Sequence, residues 1–156
     1  MKVSLITATY NSEKTIEKCM LSVLNQTYED IEYIIIDGQS EDRTLEIIKS
    51  KRVEHPNIKI VSEKDKGIYD ALNKGIKRAT GDIVGFVHSD DFLATETIIV
   101  TIVDSFLEHN VDGVYGNLHY VAINNTNNIV RNWVSQPYQP KLLQQGWMPP
   151  HPTLYL

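Results

Sequence analysis

The sequence is poor in cysteine, since Cys19 is the only one among its 156 residues. A disulfide or a multi-cysteine metal site within the chain is therefore excluded. Cys19 falls among Ile16, Met20 and Val23, at the spacing of an apolar helix face. We therefore expect a buried, unreactive thiol.

Positive charge is also scarce, because 15 Lys and Arg face 20 Asp and Glu, for a net charge of −5. The chain lacks the broad basic surface that nucleic acid or an anionic membrane would require, so any phosphate recognition must be local. No apolar run is long enough to cross a bilayer, and the amino terminus shows no secretion-signal pattern. We expect a cytoplasmic protein that does not bind nucleic acid.

Glycine-rich phosphate loops are missing as well. No Gly-x-Gly-x-x-Gly turn follows the first predicted strand, and no glycine-lysine loop of the Walker type occurs anywhere. The sequence thus argues against a dinucleotide-binding Rossmann site and against a P-loop. Any nucleotide must be bound in another way.

What the sequence does contain is an alternation of strand-like and helix-like patterns. Short β-branched runs alternate with apolar stripes of helical spacing up to about residue 110, which predicts a mostly parallel sheet covered by helices in three α/β/α layers. The strand-like runs lie at 2–7, 31–36, 57–62 and 83–87. One domain, 1–156, is expected.

The pattern changes after residue 110. Strand-like runs at 111–116, 118–123 and 129–134, with a polar turn at 124–128, predict antiparallel strands and a sheet that becomes mixed. The last four residues again have strand character. We therefore expect that the domain continues beyond Leu156.

Polar residues follow each of the four predicted parallel strands, in turns at 7–11, 37–40, 63–67 and 88–91. Ligands of open parallel sheets bind at this edge. The adjacent carboxylates of Asp90 and Asp91 repel each other unless a donor or a cation compensates, and Mg²⁺ or Mn²⁺ is one such cation. The same residues are also typical of a plain turn or helix start, so their local sequence leaves both interpretations open.

Together, these segments resemble the family 2 glycosyltransferases in composition, order and spacing. They are TATYNS (7–12), IIDGQSEDRT (35–44), DKGIYDALNKG (65–75) and GDIVGFVHSDD (81–91). The resemblance is close over roughly residues 2 to 120 and implies a GT-A fold. It also implies a nucleotide-diphosphate-sugar donor, here expected to be a UDP-sugar, and usually inversion at the anomeric carbon.

The resemblance also implies roles for individual residues. Asp37 would accept a hydrogen bond from the base, Asp91 would bind the divalent metal, Mn²⁺ or Mg²⁺, and Asp90 would lie near the ribose and diphosphate. The metal would neutralise charge on the departing nucleoside diphosphate. The full set expected to contact the nucleotide sugar is Thr7, Ala8, Thr9, Tyr10, Asn11, Asp37, Asp65, Lys66, Ser89 and Asp90.

The general base of an inverting transfer is not assigned to any residue of this chain. In the family it is typically an acidic residue well after the metal motif, in a region expected beyond Leu156. His88 stands where many relatives have another residue and is left without a role. His151 and Trp147 lie in a stretch similar to one near the acceptor side of related enzymes, but packing under a proline-rich loop explains them equally well.

Two other functions remain open from the sequence. A sugar nucleotidyltransferase shares the α/β sheet and the metal-diphosphate chemistry, although no basic glycine-rich loop supports it. A non-catalytic module that binds a nucleotide sugar fits the short chain. For the enzyme, a glycan or lipid-linked acceptor is expected by resemblance only, with peripheral association at the inner face of the membrane in the lipid-linked case.

Overall fold

The structure is a computed structural model that describes residues 1–156. Strands and helices alternate through the first two thirds of the chain, as the sequence predicts. In chain order the elements are β1 (Val3–Thr9), α1 (Ile16–Leu24), β2 (Ile31–Asp37), α2 (Thr44–Glu54), β3 (Lys59–Ser62), α3 (Ile68–Ile76), β4 (Ile83–Phe86), α4 (Ile98–His109), β5 (Leu118–Ala122), β6 (Asn125–Trp133), α5 (Pro140–Gln144) and a 3₁₀ turn (His151–Thr153).

The first four strands form one parallel sheet in the order β3-β2-β1-β4. All seven residues of β1 are buried, and so are all residues of β2 except Ile31. These two strands lie in the middle of the sheet and are covered on both faces, which explains their continuous apolar runs. Their pairing in register from Val3 with Ile31 to Thr9 with Asp37 brings both strands to an end at the same edge.

Helices cover both faces of this sheet, so the predicted three-layer α/β/α fold is confirmed. Side chains from alternate positions of β1 and β2, such as Leu5 and Ile35, pack with α1, α2 and α4 in the larger core. The intervening positions, such as Ile6, pack with Ala71 of α3 in the smaller one. Cys19 lies in the larger core and is 1% exposed, which confirms the expected buried thiol.

The predicted change to a mixed sheet is also found. Val84 of β4 exchanges two backbone hydrogen bonds with Leu156, and Val114 exchanges two with Tyr155, both in antiparallel bridges. The run at 111–116 is therefore a single bridge rather than the expected strand. Its neighbours β5 and β6 form a separate antiparallel hairpin. Strand β6 begins at Asn125, inside the expected polar turn. Its pairing with β5 has two register irregularities between Tyr120 and Ala122, and the extra residues lie in β6.

Helix α1 begins at Ile16, after the first polar turn. The backbone NH of Ile16 does donate to the Ser12 carbonyl, but Asn11 has a φ of 49° and its side chain accepts a hydrogen bond from the next loop. No helix combines the length and apolar character needed to cross a bilayer.

A buried carboxylate joins three strands at the amino-terminal edge of the sheet. Glu32 of β2 accepts hydrogen bonds from the hydroxyl of Ser4 at 2.6 Å, from the backbone NH and hydroxyl of Thr80 at 2.8 Å each, and from the ammonium of Lys59. Its side chain is 3% exposed. Burial opposes the charge of Glu32, but these donors outweigh it and hold the pKa of the carboxyl well below its usual range.

Candidate functional site

The four polar turns meet at the carboxyl-terminal edge of the parallel sheet. Gly38 is the point of closest approach, because a methyl group there would lie 2.6 Å from Asp65 Oδ2 and 3.4 Å from the Tyr10 ring. The first turn also reaches the fourth, since the hydroxyls of Ser12 and Ser89 are 3.0 Å apart. Residues far apart in the sequence thus surround one cleft, as expected for a parallel sheet.

Hydrogen bonds hold the first two turns together. The backbone NH of Asn11 donates to the Ser40 hydroxyl at 2.9 Å, and the Asn11 side-chain oxygen accepts from the Glu41 NH at 2.9 Å. The NH of Gly38 donates to the Thr9 carbonyl at 2.9 Å. The Asn11 side chain thus orders the rim of the cleft, a role that the sequence did not indicate.

Asp37 differs from the open carboxylate that the sequence leads one to expect. It is fully buried at the end of β2. Its carboxylate accepts hydrogen bonds from the hydroxyl and NH of Ser40 and from the hydroxyl of Ser62 at 2.6 Å. In this conformation Asp37 anchors the ends of β2 and β3. Its role toward a base stays a prediction.

The first turn exposes little of its predicted contact surface. Thr7 is 0%, Ala8 7% and Thr9 5% exposed, whereas Tyr10 is 59% exposed. The Thr7 hydroxyl donates to the Val87 carbonyl at 2.7 Å, inside the core. In this structure β1 is still between its neighbours at Thr7, and the contact of Thr7 with a nucleotide sugar stays a prediction. The buried Thr9 Oγ1 has no internal hydrogen-bond partner.

The third turn presents charged groups beside this rim. Asp65 accepts a hydrogen bond from the NH of Gly67 at 2.9 Å, and the φ of Gly67, 112°, favours glycine. The NH of Lys66 donates to Asp70 at 3.0 Å, and this bond is the largest cause of the lowered pKa of Asp70. The Lys66 ammonium is exposed and takes part in no hydrogen bond or ion pair within the chain. It remains open to an anion.

The Asp90–Asp91 pair has no hydrogen-bond donor and no Lys or Arg partner within the chain. Asp90 is exposed and Asp91 is half-buried, and neither carboxylate accepts a hydrogen bond or forms an ion pair with Lys or Arg. Burial and the neighbouring Asp90 raise the pKa of Asp91, while the imidazoles of His88 and His151 act in the opposite direction. The turn itself is fixed, because the NH of Asp91 donates to the His88 carbonyl at 2.9 Å.

Two histidines that the sequence left without a role meet beside this pair. The rings of His88 and His151 are in edge contact with centroids 5.5 Å apart, and the buried Nδ1 of His88 has no hydrogen-bond partner. The stretch around His151 is similar to one in related enzymes, which was the only signal for it. Trp147 instead packs edge-on against Tyr115 at 5.8 Å, as packing under the loop predicts.

The chemistry of this corner fits a divalent cation. Two carboxylates without internal donors, next to imidazole nitrogens, match the ligands that Mn²⁺ accepts, and the carboxylates alone match Mg²⁺. No three His, Cys, Asp or Glu side chains are grouped closely enough to form a complete protein cage. Mg²⁺ is commonly held by one or two carboxylates together with phosphate oxygens and water, so an incomplete cage is compatible with such a site.

Comparison with solved structures connects this geometry to known folds. The chain superposes on S. aureus TarS in complex with UDP-GlcNAc with a TM-score of 0.67 and 32% sequence identity, covering 72% of this chain and 33% of that one. It superposes on the mannosyltransferase PcManGT from Pyrobaculum calidifontis, solved with GDP-Man and Mn²⁺, with a TM-score of 0.68 and 26% identity, covering 74% and 35%.

Sequence comparison gives the same result. The chain is 38% identical to the chondroitin synthase of Escherichia coli over 96 residues, which are 62% of this chain and 14% of that protein. It therefore spans 35% or less of the length of each of these three relatives. Residues 4–154 match the profile of Glycosyl transferase family 2. The chain, with its parallel sheet and its four converging turns, belongs to glycosyl transferase family 2.

Proposed function

We propose that this chain binds a nucleotide-diphosphate sugar, a UDP-sugar in the first instance, together with Mn²⁺ or Mg²⁺. The protein that contains it would transfer the sugar, with inversion, to a glycan or lipid-linked acceptor. The observation that carries the proposal is the Asp90–Asp91 pair, which has no internal partner at the meeting point of the four turns. Membership of the family and the nucleotide-sugar complexes of two structural relatives support it.

The residues around the cleft suit the parts of such a donor. Tyr10 offers an exposed ring at the rim, and the free ammonium of Lys66 suits a phosphate as a point charge. The unpartnered Thr9 Oγ1 and His88 Nδ1 are buried polar atoms whose hydrogen-bonding capacity is unused within the chain. Such atoms are rare in folded proteins, and their presence at a cleft fits a bound polar ligand.

Asp91 is the residue proposed to hold the divalent ion, with Asp90 toward the donor and with His151 and His88 as neighbouring nitrogen groups. A bound divalent ion supplies electrostatic stabilisation to the departing nucleoside diphosphate. The repulsion between the two carboxylates is relieved by the same charge. No residue of 1–156 is assigned as the general base. A location in the cytoplasm, at the inner face of the membrane for a lipid-linked acceptor, stays a prediction.

Calorimetry with UDP and GDP, each with and without Mn²⁺, tests the donor site. We expect binding that depends on Mn²⁺ and is abolished by a chelator. Asp91→Asn should weaken Mn²⁺-dependent binding by roughly 10- to 100-fold or more, since Asp91 is the proposed ligand itself. Asp104→Asn is the matched control, because it makes the same chemical change at an exposed position of α4 and should bind like the wild type.

A nucleotide affinity that is unchanged both by the chelator and by Asp91→Asn would refute the metal site. If binding is found, donor hydrolysis followed by NMR separates an enzyme from a binding module. Release of the sugar as the inverted anomer supports the transferase. If the protein binds the donor but does not turn it over when an acceptor is supplied, the result supports a non-catalytic module.

A further inference from the structure

A buried cluster of two hydroxyls and one thiol lies directly beneath the turn that carries Asp90 and Asp91. We call it the hydroxyl–thiol cluster, and it consists of Thr7 of β1, Cys19 of α1 and Tyr33 of β2. These residues are 0%, 1% and 4% exposed. None of them is exposed to the cleft in this structure, so we expect any effect they have on the site to pass through other residues.

The hydrogen-bond partners fix where the proton of Thr7 goes. Its hydroxyl is 2.7 Å from the Val87 carbonyl, which can only accept, so Thr7 donates there. The Tyr33 hydroxyl is 3.0 Å from the same Thr7 oxygen. Because the single proton of Thr7 is already used, Tyr33 must donate to Thr7. The result is a directed chain of hydrogen bonds from β2 through β1 to the end of β4.

The thiol of Cys19 holds the next carbonyl along the chain. Its Sγ is 3.3 Å from the His88 carbonyl, which again can only accept, so the thiol is the donor. Burial raises the pKa of Cys19 to about 11, in keeping with a protonated thiol. The same carbonyl accepts the NH of Asp91 at 2.9 Å. The His88 carbonyl therefore joins α1 to the aspartate turn.

The two carbonyls lie where the ladder of the sheet ends. Strand β4 stops at Phe86, and the NH of Val87 makes one more ladder bond, to the Ile6 carbonyl at 3.0 Å. Beyond that point the sheet no longer orients the backbone of β4. The hydroxyl–thiol cluster provides side-chain donors to the Val87 and His88 carbonyls, which no longer belong to the ladder of the sheet.

We propose that Thr7, Cys19 and Tyr33 are positioning residues: by holding the Val87 and His88 carbonyls from below, they fix the direction in which the Asp91 carboxylate meets the divalent ion. This inference rests on the proposed function only for the identity of the ion. The claim that the cluster orders the turn stands on the geometry alone.

The molecule contains a natural control for this proposal. Ser4 and Glu32 belong to the same two strands, are buried, and form a polar network at the opposite end of the sheet. Loss of a hydroxyl at Thr7 or at Ser4 should destabilise the fold in a similar way. Only the loss at Thr7 should change the aspartate turn.

Mn²⁺ binding in the presence of UDP or GDP, followed by EPR of the free ion, is the first measurement. Thr7→Val and Tyr33→Phe each remove one hydroxyl with little change of shape, and we expect the Mn²⁺ affinity to fall about tenfold. Thr7→Ser keeps the donor and should restore binding. Ser4→Ala should stay within about twofold of the wild type at a comparable loss of stability, since its partners lie at the far edge.

Amide hydrogen exchange is the second measurement and needs no ligand. The amide of Asp91 should exchange about tenfold faster in Thr7→Val and Tyr33→Phe than in the wild type. These variants loosen the Val87 carbonyl, one residue before the His88 carbonyl that accepts the Asp91 amide. In Ser4→Ala and Thr7→Ser its rate should match that of the wild type. Circular dichroism and urea unfolding establish that each variant is folded.

The two measurements separate the inference from the proposed function. A wild-type protein that binds neither Mn²⁺ nor nucleotide sinks the proposed function, while the exchange rates still decide whether the cluster orders the turn. Unchanged exchange of Asp91 in Thr7→Val overturns the inference, and so does an equal loss of Mn²⁺ affinity in Ser4→Ala.

Discussion

At the scale of single residues, two aspartates that look alike in the sequence have opposite surroundings. Asp37 is the last residue of β2, and Asp91 lies in the turn after β4. The serines at 40 and 62 donate hydrogen bonds to the carboxylate of Asp37, whereas the carboxylate of Asp91 accepts no hydrogen bond within the chain. A carboxylate whose hydrogen bonds are internal stabilises its loop, and one without them is free to bind a ligand. Only the second has the character of a metal ligand.

The burial of Cys19 leads to a prediction about its reactivity. At pH 8 a pKa of about 11 leaves only about one thiol in a thousand ionised, roughly 200-fold less than for a free cysteine. Alkylation by iodoacetamide at pH 8 should therefore be at least about 200-fold slower in the native protein than in urea, since burial adds a steric barrier. Mass spectrometry over time measures both rates, and equal rates would contradict the buried, protonated thiol.

At the scale of elements, the segment around Tyr155 attaches to the edge of the parallel sheet through isolated antiparallel bridges. Tyr155 lies between Gly85 of β4 and Val114 and forms antiparallel bridges to both. Its ring covers Gly85, where an added methyl group would overlap the ring carbons. The ring is buried in the larger core together with Phe106 of α4. The segment carrying His151 is thus attached to the fold through an aromatic ring that requires a glycine opposite.

Gly85→Ala should weaken the packing of the Tyr155 ring on β4. The new methyl group meets a buried, rigid ring, and such overpacking costs about 1–3 kcal/mol of the free energy of unfolding. Gly116→Ala is the matched control, because no atom lies within 4 Å of the added carbon. Urea unfolding measures both changes. A loss in Gly85→Ala no greater than that in Gly116→Ala would show that Tyr155 does not pack on β4 as described.

At the scale of the whole molecule, the two edges of the parallel sheet differ in how far their polar groups are hydrogen-bonded within the chain. The amino-terminal edge carries a buried carboxylate with all its partners in place, centred on Glu32. The carboxyl-terminal edge carries unpartnered acids, orphaned polar atoms and an exposed ammonium. Polar groups stabilise the fold where they are satisfied, and they are available for a ligand where they are not.

The Glu32 network predicts how stability depends on pH. Its pKa is lowered in the folded protein relative to about 4.3 in the unfolded chain, so the stabilisation is complete at neutral pH and is lost as pH falls below about 4. Glu32→Gln should cost about 2 kcal/mol at pH 7, because the hydrogen bonds lose their charge. The difference from the wild type should shrink at pH 3.

Urea unfolding at pH 7 and pH 3 measures this difference directly. Asp104→Asn, an exposed acid on α4, serves as the control and should show no comparable pH-dependent difference. A difference between Glu32→Gln and the wild type that stays constant or grows on acidification would contradict the lowered pKa.

The sequence by itself determined the layers of the fold and the edge of the sheet at which the cleft lies. Continuous apolar runs require strands buried on both faces, and parallel strands require their ends to meet at one edge. Residue motifs at those ends predicted the family. Local pattern carries this information because periodicity and turn chemistry act over a few residues.

Only the tertiary structure decided which polar residues are open to a ligand. In the folded chain, Asp37 and Thr7 are buried and form hydrogen bonds with residues distant in sequence, whereas the carboxylate of Asp91 accepts none. The fold also brings His151 into contact with His88, more than sixty residues away in the sequence. Hydrogen bonding and burial depend on neighbours that are distant in sequence, which no local pattern records. For the Asp90–Asp91 turn, the sequence supplied the two acids, and the packing beneath them supplied their orientation.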